Sequence, residues 1–114
     1  VDEGVEQRSP FEQAKVVDAS LHTILSRLDL DGESRDVRDL ADAIRQLSTD
    51  ARLDTRDYDY AETRAEQQKI ARECRERFEQ LRQLILKASE HNMFGVVDVA
   101  ELSARIEHIM ANVQ

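Results

Sequence analysis

The chain has no tryptophan, one cysteine, one proline and three glycines in 114 residues. So few turn formers exclude a many-stranded sheet, whose connections each need residues of special backbone conformation. A lone cysteine, Cys74, cannot form an intramolecular disulfide, and it leaves no Cys-x-x-Cys pair for zinc, haem attachment or dithiol redox work. No apolar run approaches the roughly 20 residues that cross a bilayer as a helix, and the N-terminus lacks a secretory apolar stretch. The Gly-rich phosphate loop, the serine nucleophile elbow and the zinc-protease helix motif are all missing, which removes the commonest enzyme signatures. The chain opens at Val1, which reads as a processed form or as a domain of a longer protein.

What is present favours helix. Ala, Leu, Glu, Gln and Arg are abundant, charged residues make up 35% of the chain, and the length suits one domain with one core. The formal net charge is −8, from 24 acidic and 16 basic side chains. A field of that sign repels phosphate backbones and anionic headgroups, so neither nucleic acid nor membrane is an expected partner. With no feature of an oxidising compartment, the expectation is a soluble, cytoplasmic protein.

Residues 1–9 carry no periodicity and read as a flexible leader, followed by a single helical bundle domain over 10–114. Ser9-Pro10-Phe11-Glu12 joins an N-cap, a proline at the first helical position and a glutamate at the third. From there Phe11, Ala14, Val17, Leu21, Ile24 and Leu28 form one apolar stripe of a helix that ends near Asp31, with Gly32 as its left-handed stop. A second stripe runs through Val37, Leu40, Ala41, Ile44, Leu47 and Ala51. The segment Asp54 to Tyr60 interrupts it, and its several cap candidates predict a turn there. A third, long helix follows with Ala71, Cys74, Phe78, Leu81, Ile85 and Ala88 inward, and His91 to Gly95 ends it, with Asn92 or Gly95 left-handed. Asp98 with Glu101 predicts a second capping box, stapled by Val97 and Leu102, for a last helix that buries Val99, Leu102, Ile106, Ile109, Met110 and Val113.

Short connections between four striped helices predict an all-α, antiparallel, up-down-up-down four-helix bundle. The helices come out at about 22, 19, 33 and 15 residues, so the third is about twice the length of the fourth. An unmatched amphipathic segment is commonly buried by a second chain, which makes the start of the third helix a candidate interface; the alternative is a kink near residue 67 that divides the helix and leaves a solvated Arg/Glu/Gln segment.

Candidate sites are few. A carboxylate-bridged di-metal bundle needs Glu-x-x-His pairs, but Ala19, Ala88 and Arg105 stand three residues before His22, His91 and His108. No metal and no cofactor are expected. No arginine stands five residues before any histidine, which disfavours the helical ribonucleases with an Arg-x4-His motif. Asp18 and His22 are four apart and suit a surface pair better than a phosphotransfer histidine, because cationic neighbours to receive phosphate are lacking. On the third helix Arg72, Arg75 and Arg82 share a flank on which a ligand or phosphate could sit. Partners at i+4 spacing, Arg72 with Glu76 and Arg75 with Glu79, beside Lys69 with Glu73 and Glu73 with Arg77, favour a self-neutralised solvent face instead. Cys74 lies in an apolar stripe and reads as a small buried hydrophobe.

Two surface features remain. Tyr58 and Tyr60 among Asp54, Asp57 and Asp59, with Arg64 and Gln68 nearby, suit a basic partner peptide or a plug at one bundle end. Met93 and Phe94, with Val96 and Val97, read as the plug at the other end. The expectation is therefore a non-enzymatic protein–protein interaction module, such as a small adaptor, regulator or chaperone-like subunit. It would be an acidic homodimer formed through the third helix, with a protein partner of basic character. The alternative is a small-ligand-binding sensory bundle.

Overall fold

A computed structural model describes residues 9–29 and 32–113. Four helices make up the fold, α1 (Pro10–Ser26), α2 (Arg35–Tyr60), α3 (Arg64–Glu90) and α4 (Val96–Asn112), and no strand occurs among the described residues. The expected leader falls on residues 1–8, outside the described residues, except for Ser9, which is the N-cap of α1.

Each boundary has a local cause. Ser9 Oγ accepts from Glu12 N–H at 3.3 Å, and Pro10 opens α1 where a missing N–H costs nothing. The helix stops at Ser26, about one turn before the expected end, where Ser26 Oγ donates to the Thr23 carbonyl at 2.8 Å. Gly32 does not act as a left-handed stop, since no described glycine has a positive φ. Ser34 Oγ caps α2 by accepting from Val37 N–H.

The predicted turn over 54–60 is absent, because α2 runs through it to Tyr60. Each cap candidate there is engaged elsewhere. Asp54 accepts from Arg77, and Thr55 Oγ1 donates to the Arg52 carbonyl at 2.6 Å. The real break lies at 61–63, where Thr63 Oγ1 accepts from Glu66 N–H at 3.1 Å and starts α3. Thr63-Arg64-Ala65-Glu66 matches the sequence pattern of a capping box.

α3 ends in a Schellman motif. Asn92 holds φ 61°, its N–H donates to Ser89 O, and Met93 N–H donates to Ala88 O. Asn92 therefore supplies the left-handed position, and Gly95 is instead the N-cap of α4 with φ −72°. That places the start of α4 one turn before the expected capping box. Asp98 is the third residue of the helix, and Val97 is 76% exposed and staples nothing.

The four helices form a closed ring: α1 packs on α2 and α4, and α3 packs on α2 and α4. Leu21, Leu25, Ile44, Phe78, Leu81, Ile85, Ile106 and Ile109 fill the centre, with Met93 and Phe94 closing the end at the α3–α4 turn. Leu25 takes the fully buried place expected of Ile24, and Ser48 the one expected of Leu47. At 27 residues α3 is the longest helix, but α2 has 26 and accompanies it. The extra length foreseen in the third helix is therefore shared with α2, and α1 and α4 are the short members at 17 residues each.

Leu81 is fully buried, whereas Tyr60 is 75% exposed. Leu81→Ala is expected to cost about 3 kcal/mol, and Tyr60→Ala to stay within about 0.5 kcal/mol of the parent chain. Chemical denaturation of both variants reads the difference.

Candidate functional site

The polar groups with the strongest constraints lie between helices. Asp18, on the buried side of α1, is 5% exposed and receives three neighbours. Ser48 Oγ donates to its Oδ1 at 2.7 Å, Arg52 Nη1 lies 3.0 Å from Oδ2, and His22 Nδ1 lies 3.2 Å from Oδ1. His22 Nδ1 is also 2.8 Å from the Asp18 carbonyl oxygen. Both neighbours are acceptors, which assigns a proton to that nitrogen. The Asp18–His22 pair is thus not a surface pair: it belongs to a network that ties α1 to α2, because spacing along one helix cannot reveal Ser48 and Arg52 arriving from another.

A second tie joins α2 to α3, where Arg77 Nη1 donates to both carboxylate oxygens of Asp54. Burial pushes the Asp54 carboxyl above the ordinary aspartate value of 3.8, outweighing the hydrogen bond from Arg77 that pulls it down. The same hydrogen bond raises the Arg77 guanidinium. Asp59 is also raised by burial, against hydrogen bonds from Ser9 and from Phe11 N–H at the start of α1. A third tie joins α3 to α4. Arg82 binds Glu79 at 2.6 Å and Glu107 at 3.1 Å, which lowers the Glu79 carboxyl, and Arg75 Nη1 donates to the Val113 carbonyl at 2.7 Å.

These ties disperse the residues singled out above. Tyr58 is half-buried against the core and Tyr60 is exposed. Asp57 pairs with the neighbouring Arg56, and Asp59 turns to the N-terminus of α1. Arg64 opens α3, and Gln68 lines a shallow hollow with Ala65, Arg72 and Arg75. Arg82 lies away from that hollow, so the three arginines do not converge. Nor do the expected i+4 pairs of α3 form: no ion pair joins Arg72 to Glu76, Arg75 to Glu79, Lys69 to Glu73 or Glu73 to Arg77 among the described residues. Arg77 turns to Asp54 instead of Glu73, and Glu79 to Arg82 instead of Arg75.

Cys74 is fully buried, and burial pushes its thiol up to about 12, a value that leaves almost no thiolate at neutral pH. No group of three or more His, Cys, Asp or Glu side chains able to hold a metal occurs among the described residues, and none of their helices is long and apolar enough to cross a membrane.

A second concavity, a groove of about 310 Å³, lies between α1 and α4, against about 610 Å³ for the more open hollow at Gln68. Ala19, Ser20, Thr23 and Ile24 line the groove from α1, and Asp98, Glu101, Leu102 and Arg105 from α4. Glu101 and Arg105 neutralise each other at 3.1 Å. Asp98, half-buried, makes no ion pair or side-chain hydrogen bond among the described residues. Beside this groove α4 opens with Val96 at 85% exposure and Val97 at 76%. Sequence reasoning missed the groove because its two walls are about 80 residues apart in the chain, and only packing brings them together. Comparison with protein-family models, with curated proteins and with solved structures finds no match in any of the three.

Two outcomes follow from the ties. Asp18→Asn keeps the volume but removes the charge that faces Arg52 and Ser48, and is expected to cost about 2 kcal/mol in equilibrium unfolding. For Asp54 and Asp59, a raised carboxyl means that the folded chain binds more protons than the unfolded one. Their contribution to stability therefore grows as pH falls through the folded values toward 3.8 and is lost as pH rises above them. Thermal melts over the mildly acid range should show a gain on acidification that Asp54→Asn reduces; an unchanged slope in the variant would contradict the assignment.

Proposed function

We propose that this chain is a non-enzymatic protein–protein interaction module built on an antiparallel, up-down-up-down four-helix bundle. Three pairings support the antiparallel sense. Asp18 meets Ser48 and Arg52 while Asp59 meets Ser9 and Phe11, Arg82 meets Glu107 while Arg75 meets Val113, and residues 19–24 face 98–105. In each pair, later residues of one helix meet earlier residues of the other.

The observation that carries the interaction reading is the outer face of α4. Val96 and Val97 are the most exposed large aliphatic side chains among the described residues, and Ala100 and Ala104 continue the same exposed side. On a charged surface, adjacent aliphatic side chains left in water mark a contact face. Self-association belongs to this proposal, but its location moves from the third helix to α4, because α2 accompanies α3 over most of its length. An adaptor or regulatory subunit is the role this face suits.

The experiment is sedimentation velocity over a wide concentration range on the parent chain and on a Val96→Ser/Val97→Ser variant. The parent is expected to gain mass with concentration and the variant to remain monomeric, with melting temperatures that agree closely, since both side chains are already in water. A parent that stays monomeric throughout would remove self-association from the proposal.

A further inference from the structure

We infer that the groove between α1 and α4 is a docking site for an amphipathic helix of a partner protein that carries basic residues beside its apolar stripe. This deepens the interaction-module reading and rests on it. The argument begins with shape. The groove is lined from two neighbouring helices and is partly open to solvent, so it suits a few side chains projecting from a third helix laid across it. At about 310 Å³ it lies at the lower end of the range, roughly 300 to 1,000 Å³, in which small molecules become largely enclosed. Three of its lining residues are apolar, the buried Leu102, the half-buried Ile24 and the exposed Ala19.

Charge then selects the occupant. Of the three ionic groups on the α4 side, Glu101 and Arg105 are mutually satisfied, which leaves the Asp98 carboxylate without a counter-ion among the described residues. A lysine or arginine flanking the apolar stripe of an incoming helix would supply it. The parent charge of −8 favours the approach of a basic partner. Val97, one turn before Glu101 on the same flank of α4, is 76% exposed and extends the apolar contact beyond the groove.

The test uses two synthetic helical peptides with the same leucine stripe, one flanked by lysines and the other by glutamates, titrated against the labelled parent chain by fluorescence anisotropy. The lysine peptide is expected to bind about tenfold more tightly than the glutamate peptide. Asp98→Asn should weaken the lysine peptide by about fivefold and reduce the salt dependence of its binding. Ala19→Gln, an uncharged change at an exposed position that fills the groove, should abolish binding while circular dichroism shows an unchanged fold. Equal binding of the two peptides, or binding of the lysine peptide that neither substitution alters, would overturn the assignment. If the Val96→Ser/Val97→Ser variant alone removed that binding, the groove would be refuted and the α4 face retained. Absence of binding to the parent would also refute the groove, leaving the sedimentation result to judge the interaction module by itself.

Discussion

The Asp18 carboxylate is the constraint around which the fold is arranged. An ionised group at 5% exposure must be compensated, and α2 supplies both donors, one turn apart, at Ser48 and Arg52. Sliding α2 along α1 by a single turn would leave the carboxylate facing the wrong residues while costing the apolar stripes little. The polar contact therefore specifies the register that aliphatic packing alone would leave loose, and the Asp54–Arg77 pair does the same for α2 against α3. α2 is the common member of both, so the positions of α1 and α3 are referred to one helix.

Much of this arrangement is legible in the residues. The stripe of α3 is buried as its spacing requires, that of α4 at Leu102, Ile106, Ile109 and Val113 with Val99 and Met110 only partly covered, Ser9-Pro10 begins a helix, and Asn92 ends one. The failures have one physical origin. Asp54 and Thr55 look like caps to a reader of local pattern, but they are buried polar residues whose partners lie on α3 or in their own helix. Ser48 breaks an aliphatic stripe for the same reason. The true turn did carry a local signal, Thr63 followed by Glu66, which was masked by the richer run of aspartates before it. The groove could not be read at all, since it depends on how closely α1 approaches α4 and on which acid remains unpaired after Glu101 takes Arg105.

Electrostatics divides the molecule between charges that join helices and charges left outside. The cations with the closest contacts, Arg52, Arg77 and Arg82, join helices, and Arg75 holds the end of α4. The negative excess is left on the outside, where it sets the far field that any partner meets first. In the proposed interaction, near contact falls to the aliphatic side chains of α4 and to Asp98 beside them.

The unequal helix lengths have a further consequence. From residue 56 to residue 70 no side chain is fully buried, so the tip of the α2–α3 hairpin is held by its own backbone hydrogen bonds, by the half-buried Tyr58 against the core and by the reach of Asp59 to the start of α1. Opening that tip exposes little apolar surface and leaves the layer from Ala71 inward intact. The bundle should therefore unfold in two tiers, a tip that breathes at low free energy and a core that opens only globally, with amide exchange and proteolytic nicking around 61–63 reporting the first tier.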